Sequence, residues 1–70
     1  MSRIKANWFP VRAEDIKYFQ GLDTSEIANV FFALLSDVNG ADVTDNLSNT
    51  ERIVYEIICE HIEQDLADME

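Results

Sequence analysis

The chain has 70 residues and a formal net charge of -9, with 14 acidic side chains against five lysines and arginines. This length allows one domain with a small core, and a single cysteine excludes an internal disulfide. The charge argues against direct binding to nucleic acid or anionic membranes, and 47% apolar residues argue against intrinsic disorder.

Residues 1–11 are predicted to form an extended N-terminal arm, because Pro10 disfavours helix at the residue before it. Trp8 and Phe9 are expected to pack back on the body. The first twenty residues have a local charge balance of +2, whereas residues 21–70 have a balance of -11. A cationic arm could therefore dock on the anionic body by simple attraction, or it could contact another molecule.

Two helices are predicted in the first half of the chain. A short one over residues 12–20 has acids in its first turn and Gly21 at its end. A longer one over 24–38 begins at a capping box, with Asp23 as N-cap and Glu26 three residues later. Its apolar residues recur at helical spacing and predict one buried stripe, with Phe32 near the edge. The stripe comprises Ile27, Val30, Phe31, Leu34, Leu35 and Val38.

A polar loop after Asn39-Gly40 leads to a third helix, predicted over 49–68 from a second capping box at Ser48 and Glu51. Val43 or Leu47 is expected to pin the loop to the core. Apolar residues cover about 240° of the third helix, which is too wide for one core face. The surplus comprises Tyr55, Cys59, Ile62 and Leu66. It could bury against a partner or a second copy, or the N-terminal arm could cover it.

Acidic residues form an ordered row on the third helix. Glu56, Glu60 and Glu63 follow i, i+4, i+7, and Asp68 extends the charge. Successive turns set such carboxylates about 5–6 Å apart, a step comparable to that between DNA phosphates. The row could imitate a nucleic-acid backbone, or it could be a solvated face that keeps a small protein soluble.

The sequence offers no constellation for an enzyme, a cofactor or a metal. His61 and Asp65 stand at i, i+4, which predicts a pair on the helix surface, and no nucleophile accompanies them. The only glycines, Gly21 and Gly40, are predicted helix stops rather than a phosphate loop. The start of the chain lacks the apolar run of a signal peptide, so we expect a cytoplasmic protein.

One long pattern resembles a family of small domains of unknown function carried by phages and prophages, often near replication genes. The similarity spans residues 8–66. The elements that carry it are Trp8-Phe9-Pro10, Tyr18-Phe19, Ser25-Glu26-Ile27, the apolar run of residues 30–35, Asn39-Gly40, and a final Ile62-Glu63-Gln64-Asp65. The resemblance implies a small phage or prophage protein that acts inside a bacterial host cell, and it assigns no functional residues.

The sequence thus predicts an all-α fold, a compact three-helix domain over residues 1–70 with an extended N-terminal arm. The predicted function is that of a non-enzymatic protein that binds and modulates or inhibits a host or phage protein, in one version a nucleic-acid-binding protein whose basic surface it occupies. The alternative is a self-associating accessory domain in phage replication or assembly. The candidate partner-binding residues are Glu56, Glu60, Glu63, Asp68, Phe32, Tyr55, Ile62 and Leu66.

Overall fold

A computed structural model describes residues 2–69, and these form an all-α fold of three helices without any strand. Helix α1 spans Ile16–Phe19 and follows a 3₁₀ turn over Ala13–Asp15. Helix α2 spans Thr24–Val38, a second 3₁₀ turn covers Thr44–Asn46, and helix α3 spans Asn49–Asp68. The all-α prediction is confirmed.

The two long helices begin where their capping boxes predict. The Asp23 carboxylate accepts a hydrogen bond from the Glu26 N–H at 2.8 Å, and the Glu26 carboxylate accepts one from the Asp23 N–H at 3.0 Å. Ser48 and Glu51 make the same reciprocal pair at the start of α3. Each box satisfies donors that the first turn of a helix leaves free, so both starts are set by residues three apart in the chain.

The glycines differ in how they act at helix ends. Gly40 has a φ of 86°, a left-handed conformation that favours glycine. Its N–H donates to the Asp37 carbonyl, and the Ala41 N–H donates to the Ser36 carbonyl, which together close α2 in a Schellman motif. Gly21 has no positive φ, so it does not end α1 as a left-handed cap. The α-helix observed here is also shorter than the predicted range of 12–20, because residue 12 is extended and Ala13–Asp15 form a 3₁₀ turn.

The core lies between α2, α3 and the N-terminal arm. Its buried apolar side chains are Ile4, Val30, Ala33, Leu34, Leu47, Val54, Tyr55, Ile58, Cys59 and Ile62. Leu47 is buried and Val43 packs against the cluster, so the loop is pinned as predicted. The Cα radius of gyration is 11.6 Å, close to the ~11 Å expected for a compact domain of this length.

Some apolar residues lie outside this core against expectation. Leu35, predicted in the buried stripe of α2, is 54% exposed, because it points about 100° away from Leu34 and no element covers that side. Ile53 on α3 and Met69, which caps its end, belong to the wide apolar arc of the third helix and are also exposed. Phe9 packs on the core as predicted, whereas Trp8 is 51% exposed.

Candidate functional site

The N-terminal arm is held to the body by a buried carboxylate. Asp37, near the end of α2, accepts the Arg3 N–H at 3.0 Å and the Ile4 N–H at 2.7 Å, one on each oxygen. Ile4 is 1% exposed and belongs to the same buried cluster as Tyr55 and Ile62 of α3. These two hydrogen bonds hold the backbone of the arm next to Ile4, whose side chain enters the core.

The arm therefore covers the surplus apolar arc of α3. Tyr55, Cys59 and Ile62 are buried, and Leu66 is half-buried against the cluster. Of the two predicted alternatives for this arc, cover by the N-terminal arm is the one observed. The candidate assignment of Tyr55 and Ile62 to an exposed partner surface is therefore wrong, because both are buried in one cluster with Ile4 of the arm. Burial raises the pKa of the Cys59 thiol to about 11, so this thiol should react slowly in the folded protein.

Arg3 also pairs with two of the three glutamates in the acidic row of α3. Its guanidinium pairs with Glu56 and donates from Nε to Glu63 at 2.8 Å. Partial burial acts to lower the pKa of Arg3, but the hydrogen bonds to the two carboxylates outweigh it and raise that pKa above its ordinary value. The first alternative for the cationic arm, attraction to the body, is confirmed. Of the three carboxylates, Glu60 alone has no ion pair in the described part of the chain.

The other flank of α3 is tied to the segment around α1. Arg12 makes a two-pronged contact with Asp65, at 3.0 and 2.8 Å, which lowers the pKa of that carboxyl. His61 Nδ1 lies 3.0 Å from both carboxylate oxygens of buried Asp15. The predicted His61–Asp65 pair is therefore replaced by two pairs, each with a partner more than 40 residues away.

Catalysis at the His61–Asp15 contact would require a nucleophile beside it, and metal binding would require several convergent ligand side chains. His61 and Asp15 have no hydroxyl or thiol nucleophile hydrogen-bonded to them in residues 2–69. No group of three or more His, Cys, Asp or Glu side chains in the same range is placed to hold a metal ion. The arrangement fastens the N-terminal segments to α3.

The outward side of α2 carries two large apolar side chains that are exposed to solvent. Phe32 is 64% exposed and Leu35 is 54% exposed, and the chain has no charged residue between Glu26 and Asp37. Ala28 lies one turn before Phe32 and is also exposed. We call Ala28, Phe32 and Leu35 the α2 outer face. Phe32, one of the predicted partner-binding residues, is thus exposed. Leu35 is exposed as well, although the predicted buried stripe of α2 included it.

A groove borders this face where α2 meets the loop before α3. It has a volume of about 230 Å³, and its lining residues are Asn29, Phe32, Val43, Asn46 and Leu47. Ile53 on α3 lies in another open groove, but the charged side chains of Arg52 and Glu56 line that one as well. The α2 outer face therefore combines exposed apolar side chains with a stretch of helix, residues 27–36, that carries no charged residue.

No family model, curated protein or solved structure matches this chain. The resemblance to phage and prophage domains stays a prediction. Within residues 2–69, no helix is long and apolar enough to cross a membrane.

Proposed function

We propose that this chain is a small non-enzymatic binding protein that docks on another protein through the α2 outer face. The observation that carries the proposal is the exposure of Phe32 and Leu35 on an uncharged helix side, in a chain of net charge -9. Exposed apolar side chains grouped on one face mark interaction sites, and aromatic residues dominate the binding energy of interfaces. Burial of the exposed part of Phe32 would contribute about 1–2 kcal/mol.

Binding in this scheme modulates or inhibits the partner by occupying its surface. The strong negative charge would speed association with a basic protein and make the association weaken with salt. A host or phage protein that binds nucleic acid fits this description, because its surface is basic. Phage or prophage origin enters the proposal through the sequence resemblance alone.

Two other schemes receive less support from the geometry. Imitation of a nucleic-acid backbone by Glu56, Glu60 and Glu63 is weakened because Arg3 offsets two of these carboxylates. Self-association through the apolar arc of α3 would require the N-terminal arm to leave. Self-association through the α2 outer face would bring together two chains of net charge -9 each.

Photo-crosslinking in the cells that produce the protein tests the proposal. A photoreactive phenylalanine analogue at position 35 is expected to capture a protein, and the same analogue at position 53 is the matched control, since Leu35 and Ile53 are both exposed. Phe32→Ser should abolish capture from position 35. Equal capture from positions 35 and 53, or capture that persists with Phe32→Ser, would contradict the proposal.

A further inference from the structure

We infer that the partner presents an apolar side chain flanked by lysines or arginines, and that this side chain enters the groove beside Phe32. The inference rests on the proposed function, since it names the chemistry of the partner at the same surface. It places the contact at the junction of α2 with the loop of residues 41–47.

The groove has the size and lining of a side-chain pocket. Its volume of about 230 Å³ is several times the roughly 30 Å³ share of one water molecule. Phe32, Val43 and Leu47 supply apolar walls, and Leu47 is buried, so the floor is fixed by the core. An inserted aliphatic or aromatic side chain would therefore meet preformed apolar surface.

The rim of the groove favours donors on the partner. The Asn29 side-chain nitrogen already donates to Glu51 Oε2 at 3.0 Å, which leaves its carbonyl oxygen to accept. The loop that forms one wall contains two exposed acids, Asp42 and Asp45. Hydrogen bonds from the Thr44 hydroxyl and N–H stabilise the ionised form of Asp42 and lower its pKa.

The charge of the groove selects against an acidic occupant. The base Arg52 donates to the carbonyl of Thr44, in the same loop, at 2.9 Å, and it also acts to lower the pKa of Asp42. A second copy of this chain would bring its own Asp42 and Asp45 to the contact, together with its own net charge of -9. A basic partner instead gains attraction at the rim while its apolar side chain is buried.

The length of α2 limits the strength of this contact. Fifteen residues span roughly 22 Å, so a segment laid along the helix buries less than the ~800 Å² per partner of a standard interface. We therefore expect a transient complex with a dissociation constant in the micromolar range and a marked dependence on salt.

Three synthetic helical peptides test the inference by NMR titration of the full chain. The first has two leucines one turn apart with lysines on both sides, the second replaces each lysine by glutamate, and the third replaces each leucine by serine. The first peptide should shift the amide signals of Asn29, Phe32, Val43, Asn46 and Leu47. It should bind at least about tenfold more tightly than either of the other two.

Substitutions then locate the contact. Phe32→Ser should weaken the first peptide about tenfold or more, whereas Ile53→Ser, a matched change at an equally exposed residue, should leave its affinity unchanged. Asp45→Asn should weaken it about two- to fivefold at low salt, and Asp68→Asn should have no such effect.

Four results would overturn the inference: equal binding of the acidic peptide, equal binding of the serine peptide, signal shifts confined to α3, or a dimer that Phe32→Ser abolishes. The crosslinking experiment at position 35 shows whether such a result contradicts only this inference or the proposed function as well. If those crosslinks persist while the peptide results are negative, the face binds protein but not by a basic apolar segment. If they are absent as well, both proposals fail.

Discussion

Replacement of Asp37 by asparagine should release the N-terminal arm from the body. The two carboxylate oxygens accept the Arg3 and Ile4 N–H groups at 3.0 and 2.7 Å. Asparagine has the same shape, but it has one acceptor oxygen and turns an amide donor towards the second N–H. The substitution therefore removes one hydrogen bond and places the amide NH₂ group against a backbone N–H, so that two donors face each other. It also removes the negative charge that strengthens both hydrogen bonds of the aspartate.

The magnitude follows from the burial of these groups. Hydrogen bonds to a charged acceptor contribute about 1.5–3 kcal/mol each, and a buried donor left without a partner costs about 1–3 kcal/mol. We expect Asp37→Asn to reduce the free energy of unfolding by about 2–4 kcal/mol. That is a large fraction of the roughly 4–10 kcal/mol typical of a domain of this length.

Urea denaturation measures the loss of stability, and labelling of Cys59 measures the opening of the arm. The thiol is fully buried beside the arm, and burial raises its pKa to about 11, so the native protein should react slowly with a thiol reagent. If labelling requires the arm to open, a cost of 2–4 kcal/mol corresponds to roughly 30- to 700-fold faster labelling.

A matched control is Asp45→Asn, which removes the charge of an exposed aspartate and should change neither quantity. Unchanged labelling of Cys59 in Asp37→Asn, together with an unfolding free energy within 0.5 kcal/mol of the parent, would refute the reasoning. It would mean that Ile4 is held by apolar packing without the carboxylate.

Three further predictions concern helix ends and pH. Gly40→Ala should cost about 1 kcal/mol in urea denaturation, because φ is 86°, whereas Gly21→Ala should be neutral or stabilising, since its φ is not positive and its Cβ would meet no atom within 4 Å. Ser48→Ala should cost about 1 kcal/mol in the same assay, because the Glu51 N–H loses its acceptor. The contact with Arg12 lowers the pKa of the Asp65 carboxyl in the folded state. Its contribution to the free energy of unfolding is therefore fully present above the pKa of about 4 in the unfolded chain, and it is lost as the pH falls through the lower pKa of the folded state. Arg12→Gln should reduce this acid sensitivity in pH-dependent unfolding experiments.

Each of these predictions has an opposing result. Equal costs for the two alanine substitutions would show that the left-handed conformation at Gly40 carries no strain for alanine. An unchanged stability for Ser48→Ala would show that packing alone sets the start of α3. The same acid-unfolding midpoint with and without Arg12 would show that the Arg12–Asp65 contact does not depress the carboxyl pKa in solution.

The long helices were predictable from the sequence because their signals are local. Capping boxes join residues three apart, and the bounds Thr24–Val38 and Asn49–Asp68 match the ranges that they predict. Gly40 ends α2 through contacts within five residues. The first helix was predicted too long, because its acids and apolar spacing are compatible with a helix but provide no capping side chain.

The candidate surface was only half predictable. The helical spacing predicts Phe32 near the edge of the buried stripe and Leu35 within it, whereas Phe32 and Leu35 are both exposed. For Tyr55 and Ile62 the spacing leaves a partner surface and cover by the arm equally open, and both side chains are buried. A helical wheel gives the angle between two side chains, but it contains no information on which elements pack around the helix. The position of the arm decided the burial of Tyr55 and Ile62, and the packing of α2 against α3 decided which side of α2 stays open.

The sequence alone therefore determined the two long helices, the net charge of -9 and the division of that charge into a cationic start and an anionic body. Tertiary structure decided which groups pair with the acidic side chains. Asp37 meets the arm across more than 30 residues of chain, and Arg3 reaches Glu56 across more than 50. Such contacts depend on how separate elements pack, and no periodicity or spacing along the chain encodes them. They cover one apolar arc and leave the α2 outer face open.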